Sequence, residues 1–392
     1  MHESIYQGYE DSFLLAKAAK KYAFGNILEM GVGSGVILKC ISKYDTLTGV
    51  DINPYAIEHC KKELPHATLV QSDLFENLNN KHFFHTIIFN PPYLPEDKEE
   101  PEDERNNLSG GKKGYETIER FMSQCSYYLK PEGIILLLFS SLSKKAQVEK
   151  IIHDNLFSQK KIDEKSFMLE KLYVYKLQKT EFLKELEDSN INNIKKFTYG
   201  KRGNIYTGTL KNKKVAIKRQ RQDTEARNTV KNEIEKLKLL NKHGIGPELI
   251  ISKDDYFVYK FIEGQFIIDF LKEGKKENIQ KVLRRLFDQL FTLDKLKLNK
   301  EEMTNPYKHI LVKDSKPVLV DFERCKHKTH AHNVTQFVQF LTSKKIEKIL
   351  KEKSLETDKK TMIELSRRYA EKPTKTNLKK IMAQYGIQTK GV

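Results

Sequence analysis

The sequence predicts a chain of two parts: a doubly wound, mostly parallel α/β sheet over residues 1–178, and an α+β domain over residues 196–345. Three features predict this. Short apolar runs alternate with helical patterns as far as Leu177, as crossovers between parallel strands require. A polar stretch, residues 179–195, interrupts the alternation. After it come a hairpin pattern, a helix, further strands and then mostly helices. At 392 residues the chain is also too long for one ordinary domain of roughly 100–200 residues.

In the first part, Asn26–Met30, Thr46–Val50, Ala67–Val70, His85–Phe89 and Gly133–Phe139 are apolar and read as strands. Val36–Ser42 and Pro54–Leu64 carry helical patterns between them. Lys161–Leu177 splits into two short β-like pieces, which suits an antiparallel hairpin at the sheet's edge. Residues 179–195 are polar, with helix-forming character but little apolar stripe, and read as a linker. In the second part, Phe197–Leu210 with Lys214–Lys218 reads as a hairpin, Thr229–Asn241 as a helix and Tyr256–Ile262 as a strand. Helices follow, with a strand near Pro317–Asp321. Beyond Lys345 the chain is Lys-rich with sparse apolar residues. Residues 346–392 therefore read as a basic helical extension, either a solvated cap or an RNA-contacting arm.

Composition excludes several classes. Hydrophobic residues make up 39% of the chain, with 21 Phe and 18 Tyr, enough for real cores. The longest apolar run, Gly133–Phe139, is far short of the ~20 residues of a membrane helix. The start, MHESIYQGYED, lacks the basic and apolar segments of a secretory signal. Four scattered cysteines give neither a CxxC zinc site nor a disulfide framework. Together these point to a cytoplasmic protein without a membrane partner. The net charge of +17 is uneven: residues 1–178 hold 22 Lys and Arg against 25 Asp and Glu, the remainder 48 against 28. A basic second part suits a polyanionic partner such as RNA, the ribosome or nucleotide phosphates; a Lys-rich solvated surface is the plainer alternative.

Chemistry concentrates first at Ile27-Leu-Glu-Met-Gly31-Val-Gly33-Ser-Gly35, where a strand meets a helix. Gly31, Gly33 and Gly35 permit a tight turn and close approach of backbone to a ligand. Their GxGxG spacing differs from the GxGxxG of pyrophosphate sites. Glu29 ahead of them would repel a pyrophosphate but suits the ammonium end of S-adenosylmethionine. Asp51, at the end of the second strand, is placed to accept from ribose hydroxyls. Gln71-Ser-Asp73 ends the third strand, where it would meet the adenine amino group.

The fourth strand ends in Asn90-Pro91-Pro92-Tyr93. An amide or exocyclic amino nitrogen is a poor nucleophile because its lone pair is delocalised. Acceptors that hold both N–H groups turn that lone pair toward a methyl donor. The Asn90 side-chain oxygen and the Pro91 carbonyl offer two, the prolines stiffen the corner, and Tyr93 can stack on a planar substrate. A plain Asn-Pro turn is the structural alternative.

These residues resemble the class I methyltransferases, and more closely the HemK-like glutamine-N5 methyltransferases of translation release factors. The resemblance covers residues 1–178. It includes Tyr9-Glu10-Asp11-Ser-Phe13, Glu29 to Gly35, Asp51, Asp73, Asn90 to Tyr93, Leu94-Pro-Glu and Gly110 to Glu116. It implies a Rossmann-like, mostly parallel seven-stranded sheet. Cofactor contacts would come from Glu10, Asp11, Glu29, Gly31, Gly33, Gly35, Asp51, Asp73 and Asn90. Asn90, Pro91, Pro92 and Tyr93 would carry catalysis. Lacking a helical N-terminal domain before the motifs, the chain resembles the archaeal and eukaryotic branch, which implies a small zinc-binding activator partner. NPPY also serves enzymes that methylate adenine or guanine amino groups, so a nucleic-acid base remains the alternative acceptor.

In the second part, Gly200-Lys-Arg-Gly203 lies in a hairpin pattern ahead of Val215-Ala-Ile-Lys218. A glycine-containing hairpin can cover phosphates, and a following lysine can reach their oxygens. Glu233 can pair with Lys218, and Asp321 can hold Mg²⁺. These residues, with Asn241 to Pro247 and Tyr259 to Gly264, resemble RIO-like archaeal Ser/Thr kinases over residues 196–345, which implies ATP and Mg²⁺ at Gly200, Gly203, Lys218, Glu233 and Asp321. Three departures stand out. Thr304 falls where the catalytic aspartate belongs, His309 where the metal-binding asparagine belongs, and Glu323 where the glycine of DFG belongs. Glu301 or Glu302 is then the available base. His327, His330 and His332 lack carboxylates at ligand spacing, so they read as a polar loop rather than a metal site. A translation-associated kinase or adaptor with a subsidiary methyltransferase is the alternative from another class.

Overall fold

The computed structural model describes residues 5–6, 8–79, 81–93, 111–199, 203–220 and 229–388. The chain forms two compact units: Met1–Lys196 with Gly208–Asn212, and Phe197–Thr207 with Lys213–Val392.

Seven strands build the first unit: β1 (Asn26–Met30), β2 (Thr46–Asp51), β3 (Thr68–Gln71), β4 (Phe84–Phe89), β5 (Leu129–Ser140), β6 (Phe157–Ser166) and β7 (Lys171–Lys179). Their order is β3-β2-β1-β4-β5-β7-β6. β3 to β5 pair in parallel, and β7 and β6 close the sheet as an antiparallel hairpin. The apolar runs are continuous because helices cover both faces, leaving parallel strands no polar side. The helices are α1 (Glu10–Tyr22), α2 (Val36–Lys39), α3 (Pro54–Glu63), α4 (Glu116–Tyr128) and α5 (Lys145–Asp154). Asn53 caps α3 by accepting the Tyr55 N–H, and Pro54 opens the helix where no N–H is needed. α2 ends at Lys39, short of the expected Ser42, because Cys40 and Ile41 bond three residues back and tighten the last turn.

The linker reading of residues 179–195 is corrected. This stretch holds α6 (Glu181–Asp188), which buries Phe182, Leu183 and Leu186 and is capped by the Thr180 hydroxyl. Three apolar residues suffice to dock a two-turn helix, and the polar residues cover its outer side. The first unit therefore extends past Leu177, and the division falls inside β8 (Ile191–Tyr199).

β8 pairs with β9 (Gly203–Leu210) at the edge of a five-stranded sheet, so Phe197–Leu210, expected as one arm of a hairpin with Lys214–Lys218, spans the end of β8 and all of β9. β10 (Lys213–Gln220), β12 (Tyr256–Lys260) and β11 (Leu249–Ser252) complete the sheet, and α7 (Thr229–Asn241) packs beside it. Below it, α8 (Ile267–Glu273) precedes the long α9 (Lys276–Lys295). β13 (Gln265–Phe266), β15 (Ile310–Lys313) and β16 (Lys316–Leu319) form a small antiparallel sheet. β14 (Leu298–Asn299) pairs with β17 (Lys326–His327).

The C-terminal segment is a second correction. It is no extension but part of the second unit's core. After α10 (Asn333–Leu341), helices α11 (Lys344–Glu352), α12 (Lys359–Glu371) and α13 (Lys375–Ala383) bury Leu350, Met362, Tyr369 and Ile381 in one cluster with Leu283, Leu286 and Leu290 of α9. The apolar residues are few but helically spaced, and the lysines occupy the outer faces. A polar stitch reinforces the packing. The Tyr369 hydroxyl donates to Asp294 Oδ2 at 3.0 Å. Asp294 also accepts the Asn333 and Val334 N–H groups and the Asn333 side-chain amide. Ile381→Ala should accordingly lower the second unit's unfolding free energy by about 2–5 kcal/mol, measured as an earlier midpoint of that unit's transition in urea.

Candidate functional site

The sheet of the first unit changes direction of winding between β1 and β4, and a pocket opens at the carboxyl ends of the strands there. Gly31, Gly33 and Gly35 all have positive φ, at 71°, 50° and 75°. A side chain on Gly33 would come within 3.1 Å of the Tyr6 carbonyl, so glycine is required for the turn to pass. The Gly33 N–H donates to Asp51 Oδ2 at 2.9 Å, and Asp51 Oδ1 accepts the Asn53 N–H at the same distance. Burial raises the Asp51 carboxyl, against the pull of these backbone donors. Each oxygen keeps a lone pair for a ligand diol.

Asp73 lines the pocket and is bridged to Arg120 of α4 at 2.7 Å. Asn90, Pro91, Pro92 and Tyr93 form its far wall. Asn90 Nδ2 donates to Asp11 Oδ2 at 3.0 Å, while Asn90 Oδ1 is buried and accepts nothing among the described residues. Asp11 is 4% exposed. It also accepts the Tyr6 hydroxyl and the Ser12 N–H, both at 2.6 Å. The Tyr93 carbonyl is pinned by the Ser143 hydroxyl at 3.1 Å. Burial, followed by the nearby Asp11 carboxylate, pushes both the Tyr6 and Tyr93 phenols well up.

Three residues expected at the cofactor lie elsewhere. Glu29 is 2% exposed and turned beneath the pocket, where Oε2 accepts the Leu38 N–H at 3.2 Å and caps α2. Glu10 faces outward and pairs with Lys165 at 2.7 Å. Gly35 sits behind the turn; a side chain there would strike Leu64 at 2.9 Å. Gly110 and Leu94 to Glu96 lie outside the described residues. Tyr6 and Arg120 belong to the pocket and were not foreseen. Tyr6 carries no motif of its own, and Arg120 reaches the site only because α4 packs there.

The second unit holds a separate cleft. Lys218 Nζ lies 2.6 Å from Glu233 Oε2, 2.8 Å from Asp321 Oδ1 and 3.4 Å from Glu323 Oε2. Burial alone would lower the Lys218 ammonium, but the three carboxylates outweigh it and hold it charged. Oxygens of the same three acids lie within 4.8 Å of one another, a donor set that suits a hard divalent cation. Asp321 has φ +63°, a strained conformation for a non-glycine residue. The Lys300 ammonium, fully buried, donates to the Asp321 carbonyl and to Glu302 Oε2. Lys300 was not foreseen, since no motif contains it. Gly203, Glu302 and His309 line the cleft; Thr304 is exposed and does not. Glu301 turns toward Lys326 and Lys328. Gly200 lies outside the described residues.

The methyltransferase small domain family matches residues 10–169. A Methanocaldococcus jannaschii protein assigned as a protein N5-glutamine methyltransferase is 39% identical over 160 residues, covering 38% of this chain and 80% of the relative. The chain belongs to the HemK-like glutamine methyltransferase family. The release factor glutamine methyltransferase of Fusobacterium nucleatum is 28% identical over 151 residues, covering 34% of this chain and 42% of that protein. Among solved structures, the E. cuniculi Mtq2–Trm112 complex, described as responsible for methylation of the eRF1 termination factor, matches at 24% identity. It covers 45% of this chain and 99% of that one, with a TM-score of 0.38. The Rio2 kinase of Chaetomium thermophilum covers 62% of this chain and 88% of its own, at 15% identity and a TM-score of 0.34. The HemK-like part is an S-adenosylmethionine-dependent methyltransferase fold. No described helix is long and apolar enough to cross a membrane.

The buried Glu29 yields a pH prediction. Desolvation raises its carboxyl well above the ordinary glutamate value of about 4.3, against the Leu38 N–H. Between those values the folded state keeps a proton the unfolded chain has released, so stability falls as pH rises through that window. Glu29→Gln keeps an acceptor for Leu38 and cannot titrate. The wild-type first unit should lose stability relative to Glu29→Gln as the pH rises above about 4.3, measured by thermal melting.

Proposed function

We propose that the first unit methylates the side-chain amide of a glutamine, in a translation release factor or a protein of that kind. Asn90 Oδ1, buried and without a partner among the described residues, is the observation that carries this reading. A buried acceptor with no partner is costly unless a ligand supplies the donor. A primary amide has two N–H groups to give. Asn90 Oδ1 would take one and the Pro91 carbonyl the other, turning the nitrogen lone pair out of conjugation. Asp51 would hold the ribose hydroxyls, and Gly31 and Gly33 would leave room for the nucleoside backbone. Asp73, with Arg120 fixing its direction, would face the base. When bound, S-adenosylmethionine supplies a methyl group on a positively charged sulfur. The Pro91-Pro92 corner holds the acceptor in line, so catalysis here is positioning and electrostatics. The release factor assignment rests on the relatives. A small activator subunit, implied by the resemblance, would find β3 as the sheet's open parallel edge.

The full chain, given methyl-labelled S-adenosylmethionine and a release factor, should place one methyl group on a glutamine, located by peptide mass spectrometry. Label in RNA alone would overturn the reading. Asn90→Ala should slow turnover by about 10²–10³-fold while S-adenosylhomocysteine still binds, measured by calorimetry.

We infer further that the second unit holds a nucleotide with a divalent cation. The Lys218–Glu233 pair beside a strained Asp321 favours this. Lys218 would contact phosphate oxygens, and Asp321 and Glu323 would hold Mg²⁺. Phosphoryl transfer lacks its usual aspartate base, and Glu302, which lines the cleft, would be the substitute carboxylate. Lys218→Ala should abolish binding of a fluorescent ATP analogue; unchanged binding would remove the assignment.

A further inference from the structure

We propose that Asp11 is a positioning residue that sets which end of the Asn90 amide meets the methyl acceptor. This rests on reading the first pocket as the methyl-transfer site. An asparagine amide has two ends of nearly equal size and opposite hydrogen-bonding sense. Nothing in the shape of a pocket distinguishes them; the neighbours must. A carboxylate at pH 7 only accepts. With Asp11 Oδ2 at 3.0 Å, the end of Asn90 that faces it must be the N–H₂. Ser12 Oγ lies at 3.5 Å from the same nitrogen. The oxygen is thereby left as the buried end, with no partner among the described residues.

Asp11 is itself braced. Its Oδ1 accepts the Ser12 N–H and its Oδ2 accepts the Tyr6 hydroxyl, both at 2.6 Å. The Tyr6 phenol can only keep donating, because burial and the carboxylate both favour its protonated form. The chain of donation therefore runs one way, from Tyr6 to Asp11 and from Asn90 to Asp11. It fixes the pocket's selectivity. Asn90 Oδ1 demands an N–H donor, so a primary amide fits and a carboxylate or carbonyl oxygen is repelled. A flipped Asn90 would present two donors and reverse that preference.

This differs from the expectation that Asp11 contacts the cofactor directly, and Asp11→Asn separates the two. Asparagine at position 11 has one oxygen for two tasks. If that oxygen serves the Ser12 N–H, its amino group faces Asn90 Nδ2 and drives the Asn90 amide to flip. Turnover on the glutamine substrate should then fall by at least about 100-fold in kcat, a loss of the size seen when one transition-state hydrogen bond is removed. The affinity for S-adenosylhomocysteine should stay within a few-fold. Tyr6→Phe, which removes one brace and leaves the carboxylate, should cost far less. A second readout needs no substrate. In the full chain labelled with ¹⁵N-asparagine, the Asn90 side-chain amide pair is identified by its loss in Asn90→Ala. Its carboxylate-bound proton should be shifted downfield, retain the shift in Tyr6→Phe and lose it in Asp11→Asn. Unchanged amide resonances in Asp11→Asn would overturn the proposal. So would weakened S-adenosylhomocysteine binding with kcat intact, the mark of a direct cofactor ligand. Should the wild type methylate no glutamine, the function reading fails, while the amide resonances still decide whether Asp11 sets Asn90.

Discussion

Because β3, β2, β1, β4 and β5 run parallel, their carboxyl ends fall on one side of the sheet, and the chemistry of the first unit follows from that constraint. Asp51 ends β2, Asp73 follows β3 and Asn90 follows β4. Three side chains far apart in sequence need no further device to meet. What the topology cannot supply is orientation. The Gly33 N–H directs the Asp51 carboxylate, Arg120 directs Asp73, and Asp11 directs Asn90. The pocket is a set of strand ends, each held by a neighbour from outside its own strand.

The second unit solves a different problem, that of keeping charges buried. Lys218 is clamped by three acids, and Lys300 lies under Asp321 with no exposed surface. Burying two ammonium groups is costly unless each has close anionic or carbonyl partners, and both do. A nucleotide phosphate entering the cleft would have to compete with those acids for Lys218. A cation on Asp321 and Glu323 would release it. On the proposed nucleotide reading, the ligand would therefore have to bring positive charge of its own.

Much of this was legible in the sequence. The apolar runs located the parallel strands, since a strand covered on both faces leaves a continuous signal. Asn90 to Tyr93 and Asp51 were legible because their chemistry sits at a strand end. Glu29 differs for a physical reason: a carboxylate next to a glycine turn looks like a ligand, but here it is buried and occupied with the Leu38 N–H of α2. The docking of α6 and of the helices from α11 onward into the cores was not legible, because a few buried residues, Phe182, Leu350 or Ile381, hold a helix whose remaining surface is largely polar. Arg120 and Lys300 reach their sites through tertiary packing alone, which leaves no local pattern. Glu10 shares its motif with Asp11, yet neighbours on a helix differ by about 100° in direction, and only one can face the pocket.

The stitch from Tyr369 to Asp294 bears on the order in which the protein takes shape as it leaves the ribosome. The seven-stranded sheet is complete once Lys179 has emerged, so the first unit can collapse early. The second cannot. The apolar stripe of α9, from Ile279 to Leu293, must wait for Met362, Tyr369 and Ile381 to cover it. Until those helices emerge, the apolar stripe of α9 lacks the side chains that cover it in the folded unit.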